Sequence, residues 1–373
     1  MSSESSRKAA ARQCLYACID KIATGPEYSK NLSFDEAYAA MRYILAKQVD
    51  PVQSAVFLIA LRMKRETDAE NSGALRAIMD LTGTVTASAD EVVDLADPYD
   101  GYTRCLPISP FLPAVLAACG VRAVSHGVET VAPKQGATHR KILRAAGMDV
   151  GLDTKQAAAR VGDPNIGWAY VDQRAFCPGL HDLVGLRELI VKRPVFSTVE
   201  NLTGPIRGRS CTHLVTGYVH KAYPPVYARL AREAGFTSIA LIRGVEGGVL
   251  PSLRQSVRVY YYHDEGEMQV REFDPKDIGI QQSIRVLPPP EHVISCAHQA
   301  NGADIDADAL AQAAAEAGLE TLGGAPGPAR DGLVYASAII LMHLRRFEAM
   351  SQAADAVRAV LDSGSAYARF RSS

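Results

Sequence analysis

Two stretches carry residue types able to hold an anion. In "PKQGATHR", Lys134, Gly136, Thr138 and Arg140 crowd the turn into a helical run, so amide N–H groups, a hydroxyl and cations share one helix start. A solvated helix cap is the other reading of the same residues. Upstream, His126 and Gly127 follow the β-branched run "VRAV". A histidine before glycine at a strand's carboxyl end stands where doubly wound sheets place ligands, although it also suits a buried strand end that needs a polar partner.

The second stretch is "DPYDGYTRCLPISPF", Asp97 to Phe111, a loop with one glycine, Gly101. Pro98, Pro107 and Pro110 remove backbone donors, and without further glycines few successive amides can close on a phosphate. Side chains remain: Tyr99, Asp100, Tyr102 and Arg104. They suit a sugar, a base or a single phosphate better than a chelated diphosphate. A basic set of Arg140, Lys141, Arg144, Lys192, Arg193, Arg207 and Arg209 could also follow a nucleic-acid backbone. "VYYYHD", Tyr260 to Tyr262, reads as hairpin packing rather than a base-stacking platform.

These residues need a scaffold. The chain has 373 residues, 47% of them apolar, enough for a large core and about two domains. Its 40 basic and 41 acidic residues create no global field for nucleic acid or membrane. The seven cysteines lack paired zinc spacing, including Cys14 with Cys18 and the isolated Cys296 with His298. Reduced thiols, no apolar leader and no membrane-length run lead us to expect a cytoplasmic protein.

Residues 1–90 read as capped helices. Ser33 with Glu36, Asp50 with Pro51 and Gln53, and Thr67 with Glu70 mark three starts, with Tyr38, Met41 and Leu45 on one inward face and Val52, Val56 and Ile59 on another. From residue 91 to 373, strands near 121–124, 167–171, 213–219 and 238–244 alternate with helices, followed by an edge hairpin over 256–273 and an alanine-rich helical tail. The expected fold is α/β: a small N-terminal helical domain plus a larger α/β domain with a mainly parallel central sheet.

"ALRMKRET" (60–67), "LAACGVRAVSHGVETVAPKQGATHRKILRAAGM", "RELIVKRPVFSTVENLTGP", "HLVTGYVHKAY" and "SIALIRGVEGG" occur in this order. Together they resemble the anthranilate phosphoribosyltransferase family and its nucleoside phosphorylase relatives over roughly residues 30–250. The resemblance implies a hinge near 178–200, a ligand cleft between the domains and a homodimer paired through the helical part. It also implies a glycine-rich phosphoribosyl diphosphate loop, matched here by "DPYDGY", and a magnesium-binding Asp-Glu pair, matched here by Glu246 alone in "GVEGGVL". By the same resemblance, His126 and Asp100 contact sugar or acceptor. Gly101, Arg104, Ser109, Gly127, Lys134, Gly136, Thr138 and Arg140 surround the substrate, and Arg193 meets an acceptor carboxylate. Arg193 and Arg243 have a structural alternative, pairing with Glu188 or Glu200.

Two functions follow as expectations. One is transfer of ribose phosphate from a phosphorylated donor to a small nitrogen acceptor, with magnesium. The other is a catalytically inactive homologue that binds nucleic acid or acts as a regulator.

Overall fold

The computed structural model describes residues 3–25, 27–294 and 305–372. Cys296 and His298 lie outside the described residues. Four helices open the chain: α1 (Ser3–Ile22), α2 (Phe34–Leu45), α3 (Pro51–Lys64) and α4 (Asp68–Met79). Capping boxes start α2 at Ser33/Glu36 and α4 at Thr67/Glu70. Helix α3 departs from expectation: Asp50 caps it through the Val52 amide, and no Gln53 box closes. Its inward face is Ser54, Phe57, Leu58 and Leu61, whereas Val52 (71% exposed) and Val56 (44%) face outward. Both faces of this helix are apolar, so periodicity does not tell which one meets the core.

A seven-stranded sheet forms the larger domain. Its strands are β1 (Glu91–Ala96), β2 (Ala123–Gly127), β3 (Trp168–Asp172), β4 (Cys211–Gly217), β5 (Ser238–Ile242), β6 (Val257–His263) and β7 (Gln269–Phe273). They lie in the order β3-β2-β1-β4-β5-β6-β7. Strands β1 to β5 run parallel, and β6 and β7 add the antiparallel edge hairpin. The central strand β1, "EVVDLA", is absent from the strands expected above, because Glu91 and Asp94 break its apolar run. Both carboxylates have partners in the fold: Asp94 pairs with His126, and Glu91 pairs with Arg346.

Alternation along the strands divides the core. Val93 and Leu95 pack with the C-terminal helices 307–322, 328–343, 350–362 and 365–371. Val92 and Ala96 face the N-terminal helices. Strand order reverses between β1 and β4, and the cleft opens at the carboxyl ends of that pair, the position expected for a doubly wound sheet. Among the described residues no helix is long and apolar enough to cross a membrane.

Candidate functional site

The cleft has a volume of about 240 Å³ and is walled by Arg62 at the end of α3, by 98–100 after β1, by 193–201, by 217–220 after β4 and by Glu246. Three carboxylates face it, each bound to a cation. Asp100 accepts from Arg193 Nε at 3.0 Å and lies 3.4 Å from Lys134 Nζ. Glu200 holds Arg187 at 2.6 and 2.8 Å in a fully buried pair, and Gln173 reaches Glu200 at 3.4 Å. Burial opposes the Arg187 charge, but Glu200 more than offsets this and raises its pKa. Its buried Nε has no partner among the described residues.

The third carboxylate decides what the glycine-poor loop does. Glu246 accepts from the backbone N–H of Thr103 (3.2 Å) and of Arg104 (2.7 Å), and its other near neighbours are the Thr103 hydroxyl at 3.4 Å, Lys134 Nζ at 3.3 Å and the Cys105 thiol at 3.5 Å. It stands in a left-handed backbone conformation, φ 54°, which a glutamate rarely adopts. Two amides, a hydroxyl, a thiol and an ammonium therefore enclose an oxyanion supplied by the chain itself.

Gly101 and Gly136 let two loops touch. Gly101 has φ 73°, Tyr102 and Ala137 exchange backbone bonds, and Gly136 N donates to Asp100 O at 2.9 Å. A Cβ on Gly136 would lie 2.3 Å from the Tyr102 carbonyl oxygen. Gly136→Ala is expected to cost about 1–3 kcal/mol, as overpacking does, read as a lower urea midpoint with unchanged slope.

Beneath this floor lie two buried networks. Asp97 accepts from Tyr102 Oη (2.6 Å), Ser109 Oγ (2.5 Å), the Val249 amide (2.9 Å) and His139 Nε2 (2.8 Å). Burial pushes its pKa upward, but His139 and the hydroxyls outweigh that and hold it below the ordinary carboxylate range. In the second network His126 is 1% exposed, with Nε2 2.8 Å from Asp94 and Nδ1 against the Tyr99 hydroxyl. Tyr99 lines the cleft, and burial, then Glu200 and Asp94, raise its pKa well above the usual value.

The structure thus gathers Asp100, Gly101, Lys134, Gly136, Arg193 and Glu246 at one corner, with the Arg104 amide but not its exposed side chain. His126 and Ser109 lie below the surface, and Gly127 is buried against Tyr170. Thr138 caps a seven-residue helix, His139–Ala145, and Arg140 pairs with Glu129 (2.9 Å) and Asp172 (3.1 Å). Arg193 takes Asp100, and Arg187 rather than Arg193 takes Glu200. Lys141, Arg144 and Arg209 also have acidic partners, and Arg207 binds backbone carbonyls and covers Phe236. Arg62, Arg187, Tyr218 and His220 are cleft residues given no role above, although Arg62 stands within "ALRMKRET", Arg187 opens "RELIVKRPVFSTVENLTGP", and Tyr218 and His220 lie within "HLVTGYVHKAY".

Comparison with known proteins places this geometry in a family. The helical bundle domain of a glycosyl transferase family matches residues 16–82, and the a/b domain matches residues 100–367. Anthranilate phosphoribosyltransferase of Methanothermobacter thermautotrophicus is 30% identical over 68% of this chain and 71% of its own. The Aromatoleum aromaticum enzyme of that name is 25% identical over 91% and 92%. The Saccharomyces cerevisiae anthranilate phosphoribosyltransferase solved in complex with PRPP and Mg superposes with a TM-score of 0.73 at 17% identity, covering 96% of each chain. With both domains matched in order, the chain belongs to the glycosyl transferase family that joins a helical bundle domain to an a/b domain, and its relatives here are anthranilate phosphoribosyltransferases.

Proposed function

We propose that the cleft binds a phosphorylated sugar through an oxyanion held at the Thr103–Arg104–Lys134 corner, and transfers its ribose phosphate to a small nitrogen acceptor. One observation carries this reading: donors at that corner already converge on a carboxylate. A phosphate oxygen presents the same charge and acceptor geometry, so ligand binding exchanges one oxyanion for another and displaces Glu246.

In the transfer, the bond from the ribose anomeric carbon to the phosphate oxygen breaks, its electron pair leaving with the phosphate, as the acceptor nitrogen bonds to that carbon and releases one proton to water. The protein's contribution is positioning and charge complementarity. Lys134 and the two amides stabilise the departing anion. Asp100 faces the electron-poor sugar, and Arg193, released from Asp100, meets an acidic acceptor. His126 acts from below as a positioning residue, orienting Tyr99 against the ligand. Magnesium is the ion of the yeast complex. Here every cleft carboxylate is already neutralised by Arg187, Arg193 or Lys134, so these residues do not fit a resident ion and no step runs through one.

The outward apolar face of α3, Val52 and Val56 beside Tyr16 of α1, supports pairing of two copies through the helical domain, with residues 1–90 forming that domain and 178–200 its hinge. The free cysteines among the described residues fit a reducing cytosol.

Isothermal titration tests the reading. Phosphoribosyl diphosphate with magnesium is expected to bind the wild-type protein. Glu246→Ala is expected to bind inorganic phosphate about tenfold more tightly, some 1.4 kcal/mol, because the internal competitor is gone. No heat with millimolar ligand in either protein would refute the anion corner.

A further inference from the structure

At the other end of the sheet, about 20 Å from the cleft along the strands, lies a second cluster of chemically active side chains. Cys211 and His213 are two residues apart on β4, so they share a face, and Glu91 of β1 is the direct cross-strand partner of Cys211. One ligand atom from each of the three lies within 4.8 Å of the others, and all three residues are half-buried. From this convergence of a thiol, an imidazole and a carboxylate on two paired strands, we infer a binding site for a borderline divalent cation of the zinc class, remote from the cleft.

The chemistry of the donor set selects the ion. Sulfur and imidazole nitrogen with one carboxylate oxygen form a tetrahedral set for Zn²⁺ or Co²⁺, with a fourth position open to water; magnesium and calcium take oxygen instead. His213 Nε2 lies 3.0 Å from Glu91 Oε1, yet this buried nitrogen makes no hydrogen bond. Two ligands of one tetrahedral ion with bonds near 2.0 Å lie about 3.3 Å apart, with neither aimed at the other. The pair has that relation.

Neighbouring groups hold the ligands as a metal site requires. His213 Nδ1 meets Ser238 Oγ at 2.7 Å, and the same hydroxyl meets His343 Nε2 at 2.8 Å. His343 is itself buried, so this relay of side chains fixes the His213 ring from behind. With Nδ1 engaged by Ser238, Nε2 is the His213 nitrogen left facing Glu91. Arg346 binds Glu91 through Oε2 and leaves Oε1 turned toward the histidine. Cys211 Sγ makes only a 3.9 Å contact with the Asp90 carbonyl.

Cobalt titration of the full-length protein, stripped with chelator and kept reduced, tests the site. The wild type is expected to bind one Co²⁺ with the visible bands of a tetrahedral ion and a near-ultraviolet thiolate charge-transfer band, both abolished by equimolar Zn²⁺. Cys211→Ser is expected to lose the charge-transfer band and bind at least tenfold more weakly. Glu91→Gln, with its far-ultraviolet circular dichroism unchanged, is expected to keep that band with weakened affinity. A wild type that binds no cobalt at micromolar concentration, or spectra identical in wild type and Cys211→Ser, would overturn the assignment.

Discussion

Asp97→Ala is expected to lower stability by about 3–5 kcal/mol, the loss typical when one member of a buried charged network is removed. The aspartate is fully buried, and four donors from separate segments close on it: Tyr102, Ser109, His139 and Val249. Without it, two hydroxyls, an amide and an imidazole lose their acceptor in a site water does not reach. Chemical denaturation would give the cost, and a change below 1 kcal/mol would contradict the network. The pH dependence follows from the depressed folded-state pKa. The contribution is complete above the unfolded value, about 3.9, and is lost as pH falls through the lower folded value. Wild-type stability is therefore expected to fall steeply below about pH 4. Asp97→Asn starts lower and falls less steeply there.

The second large effect belongs to the buried Arg187–Glu200 pair. Arg187→Met strands Glu200 as an uncompensated buried carboxylate and is expected to cost about 3–5 kcal/mol. The double variant Arg187→Met/Glu200→Gln removes both charges and is expected to recover a large part of that loss. A double-mutant cycle in urea measures the coupling, and strictly additive losses would show that the pair is not a unit. Both side chains line the cleft, so the stable double variant also separates roles. Weakened phosphoribosyl diphosphate binding in a protein that folds well would assign Arg187 to the ligand as well as to its pair with Glu200.

How much of this was legible beforehand differs from residue to residue. Helix starts at Ser33 and Thr67 were readable because a capping box is a local device satisfied within four residues. The parallel order of the later strands was readable from apolar runs alternating with helices, and the ordered segments pointed to the correct family. Strand β1 was not, because Asp94 and Glu91 resemble loop residues until His126 and Arg346 are brought to them. Nor was the inward face of α3, since two apolar stripes on one helix differ only in what they meet.

For the site, the chain by itself determined the supply of donors. Three prolines and a single glycine in the 97–111 loop limit which amides can turn inward, whatever the fold. Tertiary structure alone decided who receives them. Thr103 and Arg104 are more than 140 positions from Glu246, and no local rule links an amide to a carboxylate across that separation. Likewise, Lys134, Asp100 and Arg193 form one corner only because the segments that follow β1 and β2 meet the 193–201 segment at the carboxyl end of the sheet. Electrostatic pairing depends on distance in space, which sequence spacing encodes only within a turn or a hairpin.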